Sequence, residues 1–537
     1  MNRPLPIWFL PALASVLFFL TGLALLPWPG LQNDELFFAG PVFSRDAAFY
    51  SLNVGSMKIP FMVMSYSGAL KTWVYSALFQ VLAPTVWSVR LPVLLLGIGT
   101  IWLTWSWVRH IAGTRAATVT TVLLATDSVF LMTNTFDWGP VALQHILLLG
   151  GLVALQVWLT GRDGFSLHGN RMLALAFFLW GLGMWDKALL AWPLIGMAVG
   201  LICIFPREAL RRVRFVTLLV AGVSFLAGAA PLVWYNIARP GETARQNAKF
   251  TTDGIAGKET ALRRTIDGST LFGYIVYEDS APLRRQPRRK LERLPVWLSS
   301  LAGDHRTNWM LPAWALGFAF SLLLWSSPVR KILLFLLITV AVGWAQMALT
   351  KGTGGASHHV ILLWPFPAVF LGIAFSAMAD RIPRYGPPAL AALVIFLAGE
   401  NLLTTNQYLA RLITNGSGGG WTDAVFPLAE SIEDKSASWF GLVDWGYLNG
   451  LRTLHEGDLP LFIPDPEGHD FLQQVSSPDF LYIQHTEDKQ IFTGVNGKIR
   501  QAAGELGYVE HVERTVPDRN GRPVFELFRF RRRTDPQ

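Results

Sequence analysis

Recurrent stretches of about 20 apolar residues constrain this chain more than any other feature, because a segment of that length crosses the hydrocarbon core of a bilayer as a helix. Inside lipid every backbone N–H and C=O must be satisfied within the protein, so such segments are read as helices. About eleven spans can be read along the sequence. They lie near 6–26, 91–108, 116–132, 140–159, 171–185, 187–205 and 214–236 and, after a long polar interval, near 309–326, 331–349, 359–379 and 388–406. The stretch 61–83 is also apolar, but Ser65, Ser67, Lys71 and Gln80 interrupt it, and it is read as interfacial. With 52% hydrophobic and 15% charged residues, the chain has too little charge to cover a soluble particle of 537 residues. The single cysteine, Cys203, rules out an intrachain disulfide. A lone Arg3 ahead of the first apolar stretch, with no convincing small-residue cleavage site, reads as a retained signal anchor.

Charge in the short connections sets the expected orientation. With a cytoplasmic N-terminus, the inner connections hold Arg109 and Arg115; Arg162 and Arg171; Arg207, Arg211, Arg212 and Arg214; Arg330 and Lys331; and Arg381 and Arg384. Counting 61–83 as a span would put these basic loops outside, against the positive-inside rule. The interval 237–308 is basic too, through Arg284, Arg285, Arg288, Arg289 and Lys290, but loops of that length largely escape the rule. The outer face is then expected to carry loops 28–90 and 237–308, the loop Asn134-Thr135-Phe136-Asp137-Trp138, residues 351–359 and the C-terminal tail. The division expected is a membrane domain over 1–410 and an extracytoplasmic domain over 411–537.

Composition changes in the tail. Asn415-Gly416-Ser417-Gly418-Gly419-Gly420 reads as a flexible joint. Beyond it, Trp439 to Val443, Leu459 to Ile463, Phe480 to Ile483 and Val524 to Phe530 read as strands, and 446–456, 467–475 and 495–506 as helices. The sum is a small α/β layer. It has no Gly-rich phosphate loop after a strand, so no nucleotide site is assigned.

The polar residues most suited to chemistry share the outer face. Asn33-Asp34-Glu35 follows the first span and the interfacial Trp28, placing two adjacent carboxylates where the chain leaves the membrane. Asp137 lies just before the turn Gly139-Pro140 that starts the fourth span; by itself it would only favour the helix dipole. Lys58, Lys71, Lys187 and Lys351 supply cations near the outer surface, and any one of them alone would be read as snorkelling. Together, cations beside carboxylates suit a phosphate-bearing lipid: the cation offsets charge on a departing phosphate while a carboxylate removes a proton from the acceptor. His358-His359 are an interfacial polar cap or a phosphate or sugar contact, and adjacent helical histidines about 100° apart do not easily chelate one metal. No Cys-x-x-Cys, His-Glu-x-x-His or Walker loop occurs. Asp34, Glu35 and Asp137 could share a divalent cation, though their spacing gives no positive evidence for one.

The order of these features resembles the GT-C superfamily of integral membrane glycosyltransferases. The closest likeness is to the bacterial branch of the dolichyl-phosphate-mannose protein mannosyltransferase family, which includes the lipid A aminoarabinose transferases. It rests on the Asp-Glu pair after the first span, Gly68-Ala69-Leu70-Lys71, Trp87-Ser88-Val89-Arg90-Leu91-Pro92, Asp137, Trp185-Asp186-Lys187, His359-Val360-Ile361-Leu362-Leu363-Trp364-Pro365 and Val443-Asp444-Trp445-Gly446. It covers residues 1–410 well and the tail more loosely. The resemblance implies a polytopic helical fold with a small C-terminal α/β domain, and transfer of a sugar with inversion from a polyprenyl-phosphate carrier to a lipid, glycan or protein acceptor. It maps the first-loop carboxylate onto Asp34, or onto Glu35 in a register shifted by one, and the second onto Asp137; Lys58, Lys71 and Lys351 are the implied phosphate-binding cations. It implies a bacterial inner membrane, and no nucleic-acid partner is expected. The interval 237–308 is too short and too basic for a β-trefoil insertion, which disfavours protein O-mannosylation. The competing readings are a polyprenyl-linked lipid or sugar transporter, an O-antigen polymerase or ligase, and an idle scaffold. A transporter would concentrate polar groups at the midplane, where Glu400 is the chief intramembrane charge.

Overall fold

Each of the apolar segments expected to span is helical in the computed structural model, which describes residues 6–139, 141–161, 167–278, 283–433 and 437–533. Arg3, Pro140 and Arg162 lie outside the described residues. Among the described residues four helices are long and apolar enough to cross a membrane, or seven if each bent pair counts as one span; Phe9–Leu25 and Met310–Leu323 are shorter apolar helices. Spans two and three form one helical run, Val86–Thr126, broken at Gly113 by a backbone (φ 84°, ψ 172°) that glycine adopts readily. The stretch 61–83 does not span. It holds part of the strand Met57–Met64, which pairs antiparallel with Tyr50–Val54, then the short strand Ser67–Gly68 and the helix Leu70–Leu78.

Which ends of the helices meet is fixed by pairing between distant connections. Arg115 pairs with Asp380, Arg381 donates to the Leu323 carbonyl at 2.7 Å, and Lys331 lies 3.4 Å from Glu208, so four predicted inner connections share one end of the bundle. At the other end the Gly30 N–H donates to the Trp421 carbonyl at 2.7 Å, Arg285 N–H to Thr414 at 2.8 Å and Lys351 N–H to Lys249 at 2.8 Å. These bonds bring the first loop, the interval 237–308, residue 351 and the tail together.

The tail carries a five-stranded sheet in the spatial order Leu461–Phe462, Trp439–Leu442, Phe480–His485, Pro523–Arg532, Tyr508–Pro517. The first three strands run parallel and the last two are antiparallel. Tyr508–Pro517 has no counterpart in the sequence reading, because its inward residues are interrupted by Glu510, His511, Glu513 and Arg514. Residues 415–420 are packed, which corrects the reading of a flexible joint. Asn415 Nδ2 donates to the carbonyls of Tyr277 and Glu278, Gly418 N–H donates to Ile275, and Asn415 and Ser417 are buried. Gly416, at φ 80°, and Gly418 serve close approach here, the first against the Arg522 guanidinium and the second against the Tyr277 ring. The interval 237–308 is likewise structured, with helices Glu242–Asn247, Ile255–Ile266 and Lys290–Ala302. Glu400 is not the only carboxylate within the predicted spans: Asp127 caps the helix Ser128–Thr133 through Phe130 N–H at 2.8 Å and accepts from the Trp364 indole at 3.0 Å.

Candidate active site

The loop after the first helix is built around Arg90. Its Nε donates to Glu35 Oε1 at 2.6 Å and its Nη2 to Glu35 Oε2 at 2.8 Å, while the remaining donors take the carbonyls of Leu26, Pro29 and Gly30. Both side chains are fully buried, and the guanidinium also lies 5.0 Å over the Phe136 ring. Such a bidentate pair spends the whole Glu35 carboxylate on loop geometry. Glu35, a candidate base from sequence, is thereby occupied.

Asp34 is the carboxylate left free by this arrangement. Its N–H and that of Glu35 are held by Gln32 Oε1, and its side chain is partly exposed and has no ion-pair partner among the described residues. Burial raises its carboxyl above the usual range, while Gln32, Lys187 and Trp138 pull it back. Tyr66 and Tyr274 feel its charge.

Asp137 adopts a left-handed backbone conformation (φ 49°) that aspartate tolerates better than most residues. It is buried and paired with Lys71, whose ammonium lies 4.4 Å over the Phe38 ring. Burial pushes the Lys71 ammonium down, and Asp186 and Glu35 push it back up. Lys187 is buried and donates to the Gly139 carbonyl at 2.9 Å; Asp186 and Asp34 lie within its electrostatic reach. Gly139 must be glycine: at φ 71° a Cβ would sit 2.8 Å from His358 and 3.2 Å from the Lys187 ammonium.

The two histidines flank this cluster. His358 packs on Trp138, which in turn stacks on Tyr274, at centroid distances of 4.3 and 4.7 Å. His359 accepts the Gly354 N–H at 3.1 Å. Their rings lie 4.1 Å apart on the single-turn helix Ser357–Val360.

Lys58 and Lys351 are elsewhere. Lys58 sits on the exposed hairpin, paired with Asp46 at 2.6 Å, and Lys351 is exposed in a turn whose backbone bonds to Lys249. Among the described residues no group of three or more His, Cys, Asp or Glu is placed to hold a metal ion. Glu35 pairs with Arg90 and Asp137 with Lys71, so each of these two carboxylates already has a cation partner.

Sequence reading missed Arg90, Asp186 and the tail's contribution. Asn33 Oδ1 accepts the N–H of Asn449, the second residue of helix Leu448–Leu454, at 3.2 Å, so the site loop caps a helix of the tail. Asn33→Ala is expected to lower the stability of the detergent-solubilised protein by about 1 kcal/mol, whereas Asn33→Asp keeps the acceptor and loses less. Thermal unfolding of the two variants beside wild type checks this.

An apolar helical bundle, a loop bearing carboxylates and cations at one end, and an α/β tail folded against that end make up a polytopic membrane protein whose fold is shared with solved structures. Neither a protein-family model nor a curated protein sequence matches the chain. Among solved structures it is similar to ArnT from Cupriavidus metallidurans in the apo state, at 14% identity and a TM-score of 0.59 over 96% of this chain and 97% of that one. The same protein bound to undecaprenyl phosphate matches at 13% identity and a TM-score of 0.56 over the same shares, 96% and 97%. The Archaeoglobus fulgidus oligosaccharyltransferase in complex with Zn and sulfate matches at 13% and 0.50, over 94% of this chain and 68% of that one.

Proposed function

We propose that the chain is a glycosyltransferase that moves a sugar from a polyprenyl-phosphate carrier to an acceptor hydroxyl on the outer face of a bacterial inner membrane. The observation that carries this reading is Asp34: a partly exposed carboxylate without an ion-pair partner among the described residues, in a cluster with two buried lysines. The similar ArnT structure with undecaprenyl phosphate supports a lipid-phosphate donor. The basic connections at the opposite end of the bundle support the orientation.

In the proposed step Asp34 takes the proton of the acceptor hydroxyl. The acceptor oxygen bonds to the anomeric carbon from the face opposite the leaving group. The bond from that carbon to the phosphate oxygen breaks, and its electron pair departs with polyprenyl phosphate, giving inversion. Lys71, held by Asp137, and Lys187, held by Gly139, offset the charge that develops on the phosphate. Asp137 positions Lys71 in this scheme, and Glu35 positions the loop through Arg90. Aromatic surface at Tyr274, beside Trp138, borders the space where a sugar would sit.

The test is donor cleavage by purified protein given radiolabelled polyprenyl-phosphate sugars. Lys71→Met is expected to reduce cleavage roughly hundredfold, and Lys71→Arg far less, because one preorganised cation is lost or kept. Wild-type protein that cleaves none of these donors while translocating labelled lipid in vesicles would replace this reading with that of a transporter.

A further inference from the structure

Helix Lys290–Ala302 presents two different faces. One packs on Gly386–Thr414: Glu292 and Pro295 are buried, Asn406 Nδ2 donates to the Pro295 carbonyl at 2.9 Å and Ser299 donates to Gln407. The other presents Leu291, Leu294, Trp297 and Leu301, spaced three, three and four residues apart and 86%, 55%, 55% and 66% exposed. That spacing puts them on one stripe.

Its N-terminal end is strongly basic. Residues 284–293 hold Arg284, Arg285, Arg288, Arg289, Lys290 and Arg293 against a single acid, Glu292, which Arg285 neutralises at 3.1 Å. Arg288, Arg289, Lys290 and Arg293 are exposed. The segment is tied to the end of the bundle that bears the site: Arg285 N–H donates to Thr414 at 2.8 Å, and its guanidinium lies 5.5 Å over Trp28.

We propose that this helix is a docking surface for anionic phospholipid: its apolar stripe enters the leaflet on the site-bearing face, and its basic end gathers headgroups. A protein partner would be expected to bring acids of its own to the basic end and a matching apolar groove. A lipid surface offers both halves at once, acyl chains for a stripe that includes an interfacial tryptophan and phosphates for the cations beside it. Each exposed cation near an anionic surface contributes about fivefold in partitioning, so the four cations decide which lipids collect there. The proposal stands independently of the glycosyl-transfer reading.

The full chain with Cys203→Ser has no other cysteine, so Leu294→Cys and Leu301→Cys can each carry a single spin label. Labelled protein is placed in nanodiscs of phosphatidylcholine alone or with phosphatidylglycerol. Both labels should collide with oxygen in the lipid phase and be shielded from an aqueous nickel chelate. Phosphatidylglycerol retained by unlabelled wild type should be enriched several-fold over the bulk. R288Q/R289Q/K290Q/R293Q should abolish that enrichment, and the milder R289Q/K290Q should reduce it if the fourfold variant is not recovered. Nickel access at both labels would overturn the proposal, as would dipolar broadening from a second copy or equal enrichment in wild type and the milder variant.

Discussion

Asp34→Asn should abolish transfer, lowering turnover by about 10³-fold while leaving the protein folded, because a positioned base contributes roughly 10²–10⁴ and the amide cannot take a proton. The substitution is nearly isosteric and breaks no ion pair among the described residues, and the buried Lys187, which feels the Asp34 charge, keeps Asp186 beside it. Glu35→Gln is different: it leaves Arg90 facing a neutral amide in a fully buried site and should act first on stability. Comparing the two by donor cleavage and thermal unfolding separates base from scaffold. The pH profile supplies a second check. Burial raises the Asp34 carboxyl, so the reactive carboxylate is present above that raised value and is lost as pH falls through it. The acidic limb of kcat/KM should lie above the range of an ordinary aspartate. A profile whose acidic limb is unchanged in a partly active Asp34 variant would remove Asp34 from the base role.

How far the site could be read in advance follows from what each signal measures. Hydropathy located the spans because lipid enforces long apolar helices locally, and Asp34 stood out because acids beside a membrane need a reason. It could not separate Lys71 and Lys187 from Lys58 and Lys351. All four are expected near the same membrane face from the sequence, yet burial of the first two depends on contacts such as Asp137 and Gly139 from distant chain. Arg90 was visible only as part of a familiar string, because its Glu35 partner lies 55 residues away. Glycine content at 415–420 suggests freedom, whereas the packed backbone uses the missing side chains for close approach. The strand Tyr508–Pro517 escaped because it is an edge strand, exposed over most of its length and charged there.

Removing Arg90 should have the largest effect on stability. Arg90→Ala strands a fully buried Glu35 carboxylate and leaves the carbonyls of Leu26, Pro29 and Gly30 without their donor, a loss of about 3–5 kcal/mol for breaking a buried pair from one side. Arg90→Lys keeps the charge but not the planar fork, and one ammonium cannot serve both Glu35 oxygens and three carbonyls, so it should recover only part. Combining Arg90→Met with Glu35→Gln removes the uncompensated charge and should lie well above Arg90→Ala in thermal unfolding, although the loop carbonyls stay unpaired. The loop links these losses to activity: Asp34 follows Gln32 and Asn33, and its own N–H is held by Gln32. The double variant should therefore fold yet transfer sugar poorly, with kcat reduced more than donor KM. If it unfolds as readily as Arg90→Ala, the carbonyl bonds rather than the ion pair hold the loop. If it transfers as well as wild type, the loop needs no such support to aim Asp34.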